Sequence, residues 1–118
     1  MLGADNRLRK KKDFDAVYSR GHGVTGPVFS IRFKRNGLPH SRFAFIVSNK
    51  TEKTAPKRNH TKRQMRAIIR DNLQNIVPGC DVAITARRRA VGADYAELSS
   101  ELMKMLKRAR LSTKNDLV

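Results

Sequence analysis

The 118-residue chain has no tryptophan, one cysteine, few acids and no long apolar run. Each shortage excludes something. A lone thiol, Cys80, cannot close an internal disulfide. With only His22, His40 and His60 beside it, widely spaced, it does not make a zinc site either. Cys80 sits between Gly79 and Asp81 at the start of an apolar stretch and is read as a structural thiol. The longest clean apolar run covers residues 43–47, far short of the roughly 20 residues that span a bilayer. Charges open the chain, but no secretory apolar segment follows them. A cytoplasmic protein without a membrane partner is therefore expected. Acids number 10 against 26 Lys and Arg, for a formal charge of +16. So few scattered carboxylates argue against a protein nuclease working through clustered metal ligands. No catalytic residue and no metal ligand is assigned, and no Walker phosphate loop, nucleophile elbow or zinc-protease helix is present. Such a polycation repels itself unless an anion binds, and nucleic acid is the first candidate.

What the chain does have is concentrated in residues 57–70, KRNHTKRQMRAIIR, where six of 14 positions are Lys or Arg and none is acidic. Good helix formers and the absence of Gly or Pro predict a helix over about 60–76. Met65, Ile69 and Ile76, with Leu73 beside them, make its apolar stripe. Asn59, Arg63, Arg66 and Arg70 make an adjoining polar one. Arg58, Lys62, Arg66 and Arg70 repeat at i,i+4 with one sign. Each such contact opposes the helix by a few tenths of a kcal/mol unless a polyanion lies against it.

One domain over 1–118 is expected, with flexible ends at 1–6 and 112–118. Residues 7–12, RLRKKK, form a basic arm. Phe14, Val17 and Tyr18 then mark a short amphipathic helix stopped by Gly21-His22-Gly23. From periodicity alone these rings belong to the core, although Phe14 and Tyr18 could also serve as stacking platforms. Residues 28–35 alternate Phe29, Ile31 and Phe33 with Ser30, Arg32 and Lys34, a strand with one apolar and one basic face. After the Asn36-Gly37 turn, residues 42–49 form a second strand, apolar on both faces in the middle and so expected to be central. The two should pair as an antiparallel hairpin. Residues 81–87 form a third strand. A last helix over 94–110 begins with Asp94 in the capping role and packs Tyr95, Leu98, Leu102, Met105, Leu106 and Ala109. The order α-β-β-α-β-α predicts an α+β, two-layer sandwich with helices mainly on one side and a basic groove on the other.

RLRKKKDFDAVYSRG, RFAFIVSNK, KRNHTKRQMRAIIRD and DVAITARR, in that order, resemble the bacterial ribonuclease P protein subunit over about residues 7–110. The resemblance implies a ribosomal-protein-like domain with a left-handed β-α-β crossover, against the usual hand. It implies a protein cofactor of an RNA enzyme that removes the 5′ leader of precursor tRNA. The catalytic RNA subunit, with Mg²⁺, carries the chemistry. RNA-subunit binding would fall on Arg58, Asn59, Lys62, Arg63 and Arg66, extended by His60 and Arg70 on the same helix. Leader binding would fall on Phe14 and Tyr18, with Arg32 on the basic strand face. The chain departs from the family pattern at His60, where an arginine is usual, and in the stretch 50–57 before the motif. The alternative is a structural RNA-binding protein such as a ribosomal protein, which needs no leader cleft. A helix-turn-helix DNA binder is disfavoured because strands flank the basic helix.

Overall fold

Cys80–Ala86 forms the strand around which the sheet is built, with Val82, Ala83 and Ile84 fully buried. The computed structural model describes residues 2–113. Its elements are α1 (Lys11–Arg20), β1 (His22–Thr25), β2 (Phe29–Arg35), β3 (Arg42–Ile46), α2 (Ala55–Asn72), β4 (Cys80–Ala86) and α3 (Tyr95–Arg108). The strands form one sheet in the order β1-β2-β4-β3. β1–β2 and β2–β4 are antiparallel and β3–β4 is parallel, so α2 is the helix of a β-α-β crossover. The chain is thus a mixed α+β protein, as expected.

Two expectations about the sheet are corrected. β2 and β3 do not form a hairpin, because β4 lies between them and pairs with both. β3 is an edge strand, and β4 is central. The apolar character of β3 has another cause, since both its faces are covered. Phe43 points into the main core, while Ala44 and Ile46 pack with Leu8, Phe14 and Val17 on the reverse face. Its free edge takes one rung from the N-terminal segment, where the Leu8 amide donates to the Phe43 carbonyl at 2.9 Å. A further strand, β1, lay hidden in His-Gly-Val-Thr, where Val24 is the only apolar residue. Gly21 just before it is required by close approach, because a Cβ there would collide with the carbonyl oxygens of Val17 and Phe33.

The helices lie mainly on one face, as expected, with α2 and α3 there and α1 on the other. Residues from α2 and α3 join Phe29, Ile31, Val82 and Ile84 in the main core. α1 lies alone on the other face, with Val17 against Ala83. α2 starts at Ala55, earlier than expected, because Pro56 falls in the first turn, where its missing N–H costs nothing. Its buried stripe is Thr61, Met65, Ile68 and Ile69, while Leu73 and Ile76 lie beyond the α-helical part. Residues 2–6, expected to be loose, are tied down. Leu2 is buried and Asn6 Nδ2 donates to the Ser41 carbonyl at 2.8 Å. Leu111 is buried too, and the Thr113 amide donates to the Asn75 carbonyl at 2.7 Å. The rest of the expected C-terminal tail lies outside the described residues. No helix among the described residues is long and apolar enough to cross a membrane.

The sheet order is locked by an ion cluster. Arg42 Nε and Nη2 both donate to the buried Asp81 carboxylate at 2.7 Å. Asn36 Nδ2 adds a third bond at 2.9 Å. Arg42 Nη1 also reaches Asp13 of α1 at 3.3 Å. Asp81 is the second residue of β4, Arg42 opens β3 and Asn36 directly follows β2, so one carboxylate fixes β4 between its neighbours. Asp94 caps α3 as expected, accepting from the Glu97 amide at 2.8 Å.

Tyr95 is a correction. The residue is 39% exposed and its hydroxyl donates to Asp71 at 2.7 Å, pinning the start of α3 to the end of α2. The Tyr95 hydroxyl, and then the Arg70 guanidinium, hold the Asp71 carboxyl below the usual carboxylate range. A lowered folded value contributes stability above the ordinary carboxylate range, and that contribution is lost as pH falls through the lowered value. Tyr95→Phe is therefore expected to move the Asp71 titration upward, read by carbon-detected NMR. An unmoved titration would mean the hydroxyl does not hold the carboxylate.

Candidate nucleic-acid interface

The cations of α2 are not equivalent. Lys57, Arg63 and Arg70 are exposed, as are Asn59 and His60, whereas Arg58, Lys62 and Arg66 are half-buried. Arg58 Nη1 turns back onto the carbonyls of Glu52 and Lys53, at 2.9 and 2.8 Å, and fastens the loop that feeds the helix. Arg66 lies over the Phe45 ring, 5.9 Å from its centroid. Arg70 meets Asp71 at 3.1 Å, with both side chains nearly half exposed. Lys62 and Arg63 carry no such obligation to a described carboxylate.

The first turn of α2 holds no acid, and Thr54 at its cap position makes no side-chain cap bond. Instead its hydroxyl donates to Glu52 at 2.8 Å, and that bond is the main reason the Glu52 carboxyl sits below its usual range. The free amides and the helix dipole add to the positive field of Lys57 and Arg58. His60 lines a hollow of about 410 Å³ with Pro56, Lys57, Thr61, Val91 and Gly92. The loop after β4, which begins Arg87-Arg88-Arg89, therefore borders the same end of α2. Arg7 and Arg9 of the arm meet Arg66 and Phe45 in another hollow at the β3 edge. Arg7 and Arg9, far from α2 in sequence, thus lie beside it at Arg66.

On the reverse face, Phe14 and Tyr18 sit on one side of α1 with ring centroids 5.0 Å apart, tilted by 47°. Phe14 is half-buried and Tyr18 is 42% exposed. With Ile46, Asp15 and Ser19 they line an open groove of about 590 Å³. The Tyr18 hydroxyl stands 3.5 Å from Thr85 Oγ1 across it. The groove is less basic than expected, since its lining holds one carboxylate and no cation. Arg32 lies on this face, but its Nη2 donates to the carbonyls of Tyr18, Gly21 and Val17, at 2.7, 3.1 and 3.4 Å. It caps the C-terminal end of α1 and clamps that helix to the sheet. Nothing in the alternation of β2 signalled this; the helix and strand meet only in the fold.

A small basic α+β protein with one strongly cationic helix, whose single acid is Asp71 near its end, and an aromatic groove on the opposite face narrows the class to RNA-associated proteins of this topology. The family model described as Ribonuclease P matches residues 2–110. The ribonuclease P protein component of a Pseudanabaena species is 35% identical over 113 residues, covering 94% of this chain and 97% of that one. That of Alkaliphilus oremlandii is 33% identical over 110 residues, covering 93% and 96%. Among solved structures, the Staphylococcus aureus RNase P protein superposes with a TM-score of 0.82 at 28% identity, covering 90% of this chain and 96% of that one. The Thermotoga maritima protein gives 0.79 at 30% identity, covering 86% and 96%. The chain belongs to the ribonuclease P protein component family. The alternative of a ribosomal protein is thereby set aside.

Proposed function

We propose that this protein binds the catalytic RNA of ribonuclease P through α2 and holds the 5′ leader of precursor tRNA in the groove between α1 and β3. The observation that carries the reading is the pairing of a helix face that is cationic from Lys57 to Arg70 with an exposed aromatic groove on the other side of the sheet. Arg63, Lys62, Arg70 and the uncapped amides of α2 would meet phosphate, with Asn59 and His60 beside them. Arg58 and Arg66 would add charge while keeping their internal contacts. Tyr18 and Phe14 would stack an unpaired leader base without reading its sequence. Arg32 would act by positioning α1.

The protein supplies no nucleophile on this reading. Its carboxylates serve structure: Asp81 and Asp13 hold Arg42, Asp71 holds Tyr95, and Asp94 caps α3. Cleavage would be the work of the RNA subunit with Mg²⁺, in the cytoplasm. By neutralising phosphate repulsion between two RNAs, the protein lowers the Mg²⁺ that cleavage needs.

The direct test is cleavage of precursor tRNA by a bacterial catalytic RNA at low Mg²⁺, with and without this protein. Cleavage is expected to be restored where the RNA alone is inactive; one common Mg²⁺ dependence would refute the reading. Tyr18→Ala with Phe14→Leu, which keeps the small cluster under α1 filled, tests the groove. Loss of stacking worth about 1–3 kcal/mol predicts a roughly 5- to 150-fold fall in affinity for leader-bearing substrate. Affinity for the RNA subunit should not move.

A further inference from the structure

The geometry points to a second single-stranded RNA site, in a basin at the end of the sheet where β2 stops and β4 begins. The basin encloses about 470 Å³, within the range of sites that hold a small ligand or a single nucleotide. It lies at the opposite end of β4 from Thr85 and the groove, and it is lined by no α2 residue. It therefore goes beyond the ribonuclease P reading rather than resting on it.

Two features define its chemistry. The His22 and Phe33 rings stand side by side in its wall, with centroids 5.9 Å apart and tilted by 45°. Arg20, Arg35 and Arg110 surround them; among the described residues the lining holds no acid, and none of the three pairs with a described carboxylate. Cations alone would suit any anion. Cations around two rings suit a base that stacks and a phosphate that pairs, which is the chemistry of an unpaired nucleotide.

Arg110 is the independent sign. It is the one non-glycine with positive φ among the described residues, at 60°. The position follows α3, where the Leu111 amide closes the turn onto the Leu106 carbonyl at 2.8 Å. Helices usually place glycine there, because a Cβ is strained at that φ. The chain keeps a long cation at a backbone position that disfavours it, and that cation lines the basin.

The test is backbone amide shift mapping on the full chain at low salt, titrated with a single-stranded uridine pentanucleotide. It is done in a Tyr18→Ala background so that the groove does not compete. Amides of His22, Phe33, Arg35 and Arg110 are expected to shift. Arg35→Ser with Arg110→Gly should abolish those shifts and weaken the pentanucleotide by at least about fivefold. Glycine relieves the strained φ, so this variant should melt no lower than its parent. Shifts confined to α2 and α1 would overturn the proposal. So would inorganic phosphate giving the same shifts at equal concentration, which would make the basin a free-anion site. Failure of the α2 reading would show instead as RNA-subunit affinity indifferent to α2 substitutions, and would leave this result standing.

Discussion

Replacing Lys62, Arg63 and Arg70 together by alanine is expected to weaken binding of the catalytic RNA by about 10²- to 10³-fold near physiological salt. The figure assumes about 1–1.5 kcal/mol for each lost charge-assisted phosphate contact. These three are chosen because Arg58 and Arg66 also hold the feeding loop and cover Phe45. The same substitutions remove like-charge repulsion at i,i+4 and install the best helix former, so the free protein should melt no lower than the parent. The Arg70–Asp71 pair that is lost is exposed and contributes little. Titrations across salt concentrations supply the sharper readout. The slope of log affinity against log salt should become shallower by roughly 2–3, about 0.7–0.9 for each phosphate no longer neutralised. An unchanged slope would remove α2 from the RNA interface whatever happened to the affinity.

The α2 face was legible because helical periodicity is local. Four residues apart means one face, whatever the rest of the chain does. Its first turn was not, since Pro56 reads as a loop residue until one sees that it occupies a position with no amide to lose. The order of the sheet was illegible for a different reason. Asn36-Gly37 marks a reversal, and the reversal is real, with Gly37 at φ 72. A turn signal does not say whether a third strand will be inserted between the two it joins. That is decided by Asp81, which lies 39 residues from Arg42 and 45 from Asn36. The aromatic pair at positions 14 and 18 was visible as a spacing. Its exposure depends on α1 standing alone on its face, which only the packing of α2 and α3 on the other side establishes. Arg32 illustrates the same limit, as strand alternation placed it on the groove face and the end of α1 then took up its guanidinium.

Arg42→Ala is expected to be the most damaging single substitution outside the apolar core. The Arg42 and Asp81 side chains are 20% and 8% exposed, so the arginine's departure strands a carboxylate with little access to water. Asn36 would remain as its side-chain partner, a neutral donor. Breaking one half of a buried pair costs about 3–5 kcal/mol. In a chain of this length that corresponds to roughly 10–20 °C in Tm, measured by circular dichroism. The Asp81 bonds, assisted by Asp13, hold the Arg42 guanidinium above its ordinary pKa. A raised folded value contributes fully at every pH below the ordinary guanidinium range and is lost only above it, so the arginine stays charged wherever the protein is folded. Arg42→Met with Asp81→Asn separates lost attraction from stranded charge. It removes both charges and leaves Asn36 an amide oxygen to bond, so it should recover more than half of the loss. Because Arg42 also reaches Asp13, the single variant should loosen the start of α1 and weaken leader binding at temperatures where the protein is still folded. A loss below about 1 kcal/mol would mean that the pair behaves as an exposed one. The position of β4 would then need another explanation.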